Sequence, residues 1–242
     1  MRRQRAWPRH DEHAHMNPSW RVEVMHLGTE RQPLLLLDDF VADPQALVED
    51  ACRRDYAVHG VYYPGVRAAV PVERVHGFLH GLDALIAEVF GIKRGQVLEA
   101  WYSLVTTPAA QLAPIQRLPH FDGLEPGRLA LLHYLGRAAC GGTAFYRQRG
   151  TGYESVDAAR YPRYKAQLEA DTARHGLPPA AYIAGDTPLF EHIARVEARY
   201  NRAILYRGNV LHCADIPADL RLSGDPARGR LTVNTFLCEL PA

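Results

Sequence analysis

Cysteine is scarce and scattered. Cys52, Cys140, Cys213 and Cys238 show no CxxC spacing, which excludes a zinc ribbon or a disulfide frame and leaves the reduced thiols expected of a cytoplasmic protein. Long apolar runs are missing too. None approaches the ~20 residues of a membrane span, and the basic start from Met1 to Arg9 lacks the apolar stretch of a secretory signal. Charge of one sign is not in excess: 28 Lys and Arg against 27 Asp and Glu leave a net charge of +1. No overall field therefore favours nucleic acid or an anionic membrane as a partner. There is no internal repeat, and no alternation of strands with helices that a parallel Rossmann-like sheet would need.

What is present is a chain of 242 residues, 47% apolar, enough for one sizeable domain or for one domain with an inserted lobe. Residues 1–20 carry Arg2, Arg3, Arg5, Arg9, His10, His13 and His15. They read as a flexible terminus, with a metal-binding His tract as the other reading. Leu34 to Leu37 reads as a buried strand. Asp43-Pro44 then opens a helix that places Leu47, Val48 and Ala51 on one stripe. The loop His59 to Arg67 is rich in aromatics and turn formers, and is either the rim of a pocket or a surface turn. Residues 71–90 read as one helix, with Val75, Phe78, Leu79, Leu82, Leu85, Ile86, Val89 and Phe90 at helical spacing and Gly91 at its end. His76 and His80 ride on it four apart, but without an HExxH pattern they read as solvated.

From residue 97 the pattern changes to short strands: 97–105, 128–135, 141–146, 202–207, 210–213 and 230–238. Such a succession predicts a mainly β fold with flanking helices (α+β), closed or two-sheeted, of jelly-roll type. The interruption at 152–200 predicts a helix capped by Ser155 and bent or restarted at Pro162. A break follows at Gly176-Leu177-Pro178-Pro179, then a second helix opened by Thr187-Pro188 and carrying Leu189, Phe190, Ile193, Val196 and Tyr200. This insert is either a lid over a pocket or packing on the outer sheet.

The chemistry centres on Pro119-His120-Phe121-Asp122-Gly123. On a strand, His120 and Asp122 share a face while Phe121 points the other way. An imidazole and a carboxylate on one face supply two thirds of the 2-His-1-carboxylate facial triad that binds non-haem Fe(II) with positions left open. The missing histidine must come from another strand, and His212 is the candidate. Cys213, next along, is expected to point away from the metal.

Further pieces follow in order. A strand ends His-Tyr-Leu at 133–135, then come Gly-Gly-Thr-x-Phe at 141–145, Arg-Ala-Ile-Leu-Tyr at 202–206, a hairpin to His212, and a last strand beginning Arg230-Leu-Thr-Val-Asn. This order resembles the Fe(II)- and 2-oxoglutarate-dependent oxygenases, especially their prolyl-hydroxylase-like branch. It is similar in particular to poorly characterised bacterial families with a YPGxRA segment, here Tyr63 to Ala68. The resemblance covers 97–150 and 201–238, extends more loosely over 35–90, and leaves the insert outside.

The resemblance implies a double-stranded β-helix within a single oxygenase domain at 21–242. Its parts would be helical support (35–95), core (97–150 and 201–238) and an insert or lid (152–200). It implies iron held by His120, Asp122 and His212 as the catalytic centre, with 2-oxoglutarate chelating through its C1 carboxylate and C2 ketone. The C5 carboxylate then needs a cation suited to a bidentate hold. Arg230, at the head of an alternating strand, is preferred over Arg221, which sits in a Pro-, Gly- and Asp-rich loop closer to His212. Tyr134 and, less closely, Tyr102 match positions that assist this carboxylate, although either could simply pack in the barrel wall. Thr232 and Asn234 share the face of Arg230.

The implied activity uses O2 to hydroxylate a C–H bond of a small molecule, amino acid or peptidyl substrate while 2-oxoglutarate is decarboxylated to succinate and CO2. A carboxylate at Asp122 argues against halogenation. The other reading is a cupin-like metal- or ligand-binding protein without 2-oxoglutarate turnover. A nucleic-acid demethylase is disfavoured by the even charge. Tyr62, Tyr63 and Arg67 could meet a carboxylate or a planar group.

Overall fold

Strands form where branched and aromatic residues alternate in short runs, and a computed structural model, which describes residues 16–137 and 141–240, shows how they pair. In order, the elements are β1 (Arg21–Leu27), β2 (Gln32–Asp38), α1 (Pro44–Cys52), β3 (Ala57–Val58), β4 (Gly65–Ala69), α2 (Val72–His80), α3 (Asp83–Phe90) and β5 (Gly95–Val105). They continue with β6 (Arg128–Tyr134), β7 (Gly142–Gln148), α4 (Tyr161–His175), β8 (Phe190–Glu197), β9 (Arg202–Arg207), β10 (His212–Asp215) and β11 (Leu231–Glu239). One sheet has eight strands in the order β1-β2-β9-β6-β11-β5-β4-β3, and a second has three in the order β10-β7-β8. All named pairings are antiparallel. The two sheets face each other as a double-stranded β-helix with helices outside, the expected fold class.

Alternation along β11 sorts the layers. Thr232 pairs with Ser103 on one side and Tyr134 on the other, whereas Val233 pairs with Tyr102 and His133. The even set faces the smaller sheet, where Ala130, Leu132, Tyr134, Phe145, Ile204, Tyr206 and Phe236 form an inner core. The odd set faces the helices, where Leu129, Leu131 and Val233 pack with Leu47, Val75, Phe78 and Leu82. A third cluster holds α4 against the outer face of the smaller sheet through Tyr164, Tyr146, Leu189 and Cys213. Phe78 is fully buried, so truncating it to Ala costs about 3–5 kcal/mol.

Several sequence expectations change. The single helix over 71–90 is two helices, α2 and α3, parted at Gly81-Leu82. The amides of Gly81 and Leu82 both turn back to the Leu79 carbonyl. The apolar stripe runs through the break because both halves cover the same sheet face. The helix expected after Thr187-Pro188 is instead strand β8, paired with β7 from Glu197↔Gly142 to Phe190↔Gln148. Thr187 closes a tight turn there, its Oγ1 accepting from the Phe190 amide at 2.9 Å. A free edge on β7 outweighs a 3.6-residue pattern in a short segment. Ser155 does not cap a helix. Asp157 instead closes the turn that leads into α4, its Oδ1 accepting from the Arg160 amide at 2.8 Å, and Pro162 sits in the first turn of α4 rather than bending it.

Strand β1 was not anticipated. Part of the expected flexible terminus is fixed: Met16 bridges to Val41, and the Asn17 amide donates to the Phe40 carbonyl at 3.1 Å. The remainder of that tract, with His10, His13 and His15, and also Cys140, lie outside the described residues. His76 and His80 are exposed, as read. Among the described residues no helix is long and apolar enough to cross a membrane.

Candidate metal centre

The two histidines are brought together by the backbone. The His120 amide donates to the His212 carbonyl and the His212 amide to the His120 carbonyl, each at 2.8 Å. A mutually bonded antiparallel pair sets both side chains on one side, and the two rings lie 4.5 Å apart. His120 thus joins the edge of β10 through a single antiparallel bridge. Asp122, in the bend that follows, is tied by its amide to the Gly208 carbonyl at 2.6 Å. Its carboxylate lies 3.4 Å from His212 Nε2 and 3.9 Å from His120 Nε2. One ligand atom from each of the three residues falls within 4.8 Å of the others.

The protonation states suit a metal. His212 Nδ1 stands 2.9 Å from the Val210 carbonyl. A carbonyl can only accept, so Nδ1 carries a proton and Nε2 is the nitrogen turned to the centre. Tyr206, with Phe145 behind it, backs the His212 ring at 4.8 Å. Withdrawal from bulk water, then His212 and Arg67, holds the pKa of His120 well below its ordinary value, which favours its neutral form. Burial raises the pKa of Asp122, while His212, Arg67 and Arg128 oppose the rise. A half-buried carboxylate converging with two imidazole nitrogens is a donor set that suits a divalent ion.

The cluster opens into a cavity lined by Tyr63, Arg67, Thr143, Tyr182, Arg230 and Asn234 among others. Arg230 is buried and donates to the Gly142 carbonyl at 2.7 Å. Residue 142 itself is held to Gly by the neighbouring strand: a Cβ there would sit 2.0 Å from the Val196 carbonyl oxygen of β8. Arg221 is exposed. Tyr134 lies beneath the Arg230 guanidinium, 5.9 Å from its ring centre, and shares a 2.7 Å hydrogen bond with Thr143 Oγ1. Asn234 Oδ1 accepts from Thr232 Oγ1 at 2.7 Å.

Tyr102 is not brought to the cavity. Its hydroxyl donates to Asp50 of α1 at 2.9 Å, in the helix-facing core. The cause is parity: it pairs with Val233, out of phase with Arg230, Thr232 and Asn234. Cys213 packs against α4, one step out of phase with His212.

Sequence reasoning missed Tyr206, which alternation along β9 would have turned inward with Ile204. It also missed Tyr182, whose hydroxyl donates to the Thr107 carbonyl at 2.7 Å. No local pattern marks Tyr182, because it sits in the irregular stretch between α4 and β8.

Fold and cluster together define a jelly-roll protein with a candidate 2-His-1-carboxylate metal centre. The chain belongs to a family of unknown function, DUF6445, whose family model matches residues 18–237. No curated protein matches it. Among solved structures it is similar to HygX from Streptomyces hygroscopicus, crystallised with nickel, 2-oxoglutarate and hygromycin B, at 12% identity and a TM-score of 0.48 over 86% of this chain and 83% of that one. It is also similar to SnoK, a non-haem α-ketoglutarate-dependent carbocyclase from nogalamycin biosynthesis, at 10% identity and a TM-score of 0.47 over 87% and 81%. A prolyl-4-hydroxylase from Pseudomonas putida follows at 11% identity and a TM-score of 0.43 over 92% and 93%. Likenesses this distant carry no weight for the activity of this chain.

Proposed function

We propose that this protein is an Fe(II)- and 2-oxoglutarate-dependent oxygenase that hydroxylates a C–H bond of a small organic substrate. The observation that carries the reading is the placing of His120, Asp122 and His212 in one cavity with the buried guanidinium of Arg230. His120 Nε2, His212 Nε2 and one oxygen of Asp122 would hold the metal on one side and leave the cavity side open. When bound, iron and 2-oxoglutarate supply the oxidative chemistry with O2, yielding succinate and CO2.

The chain's own part is to bind, orient and dehydrate. Arg230 is fixed by Gly142 and backed by Tyr134, so its guanidinium is held in place for a carboxylate without reordering a flexible side chain. Thr143 and Asn234 add hydroxyl and amide groups to the same wall. Tyr182 and Ile183, from the 152–200 insert, close the outer side and limit water. Val210, through its carbonyl, keeps His212 in the ligating tautomer.

The test is to titrate 2-oxoglutarate into the anaerobic Fe(II) protein. The expected result is a weak visible charge-transfer band, and succinate once O2 is admitted. Iron-loaded protein that shows no band would sink the reading in favour of a jelly-roll metal protein without 2-oxoglutarate turnover.

A further inference from the structure

The cavity holds a second guanidinium. Arg67 stands on β4 opposite Ser103, which itself stands opposite Thr232, so it occupies the strand row next to the Arg230 end of β11. Its guanidinium carbon lies over the Tyr63 ring, 4.2 Å from the ring centre, a cation–π contact that uses the guanidinium face rather than its N–H donors. Among the described residues no carboxylate forms an ion pair with it, and its Nε is buried with no hydrogen-bond partner. The Tyr63 hydroxyl is likewise buried, with the Ser103 hydroxyl as its near neighbour and, among the described residues, no carboxylate or carbonyl to receive its proton. Withdrawal from water lowers the pKa of Arg67, although Tyr63, Asp122 and Glu99 nearby oppose this.

Buried donors of this kind are costly to leave unmet, and a ligand acceptor in the cavity removes that cost. In the oxygenase reading both ends of 2-oxoglutarate are already assigned, to the metal and to Arg230. One guanidinium and one hydroxyl, with the Asp122 carboxylate close by, suit a monoanion better than a phosphate dianion. At the mouth, Tyr62 and Ile115 line the cavity and are 64% and 40% exposed. They form an apolar ledge leading out from the Arg67 wall.

We propose that Arg67 and the Tyr63 hydroxyl form a carboxylate-recognition site for the substrate, and that the substrate is an organic acid whose apolar body rests on Tyr62 and Ile115. This rests on the oxygenase reading and specifies its substrate class.

Protein loaded with redox-silent Zn(II) and saturating 2-oxoglutarate is screened by ligand-observed NMR. The probes are aryl and alkyl carboxylic acids, each paired with its own primary amide. Acids are expected to bind roughly 10- to 100-fold more tightly than their amides. The preference should collapse in Arg67→Gln and persist in part in Arg67→Lys, while 2-oxoglutarate affinity stays unchanged. Acids and amides binding the wild-type protein alike would overturn the proposal, and that comparison needs no variant to fold. A loss of 2-oxoglutarate affinity in Arg67→Gln would overturn it as well, by moving Arg67 to the cosubstrate. Wild-type protein that binds no 2-oxoglutarate removes the oxygenase reading instead, and the acid–amide comparison on Zn(II) protein alone still decides the role of Arg67.

Discussion

Arg230→Met removes the cation assigned to the far carboxylate of 2-oxoglutarate while keeping an unbranched apolar stem. Charge-assisted hydrogen bonds of this kind contribute about 1.5–3 kcal/mol, so the Kd for 2-oxoglutarate should rise roughly 10- to 150-fold. The Gly142 carbonyl also loses its 2.7 Å donor. That should lower stability by about 1–3 kcal/mol, so the thermal midpoint has to be followed beside the affinity. The assay is anaerobic titration of 2-oxoglutarate into Fe(II) protein, read by the visible charge-transfer band. Arg230→Lys keeps the charge but not the fork and should fall between. Arg221→Met, at an exposed loop position, should bind like wild type. Wild-type affinity in a folded Arg230→Met, or a loss confined to Arg221→Met, would refute the assignment.

Other outcomes follow from the same structure. His120→Ala and His212→Ala should each abolish succinate formation and weaken Fe(II) binding measured with a chromophoric chelator; full turnover by either variant removes that residue from the ligand set. Tyr102→Phe should cost about 1 kcal/mol in urea denaturation and leave 2-oxoglutarate affinity untouched, because Asp50 keeps its 2.8 Å partner Arg54. Glu154 is buried and accepts from the Thr29 and Glu30 amides at 2.9 Å and from Arg147. Burial raises its pKa, but these donors outweigh burial and bring it below the ordinary 4.5. Its contribution is therefore complete above that value and lost as pH falls through the folded-state pKa. Glu154→Gln should destabilise the protein by about 3 kcal/mol near pH 7 and flatten the decline of its thermal midpoint in acid. An unchanged acid profile would discard that assignment.

Strands 97–105, 128–135 and 202–207 were legible because branched and aromatic residues alternate within them, and each is found within a residue or two. The α2–α3 region was legible as helix but not as two helices, since a break that keeps the same face to the core leaves the stripe intact. β8 was misread because its apolar residues fit a helical spacing as well as a strand with a bulge, and only the open edge of β7 decides between them. At the centre, the spacing of His120 and Asp122 marked a candidate ligand pair, and the structure brings both side chains beside His212. Tyr102 was misplaced because which face of a strand looks inward depends on register with its neighbour, and register is not local.

The sequence by itself determined the kinds of group available: two imidazoles, an acid and several guanidinium groups on short strands, without the cysteines, apolar spans or basic excess of other classes. Only the tertiary structure decided which of them meet. His120 and His212 are ninety-two positions apart and become neighbours through two backbone hydrogen bonds. Arg67 and Arg230 share a cavity while Arg221 does not, because strand pairing fixes both distance and facing, and neither is encoded in any stretch short enough to read alone.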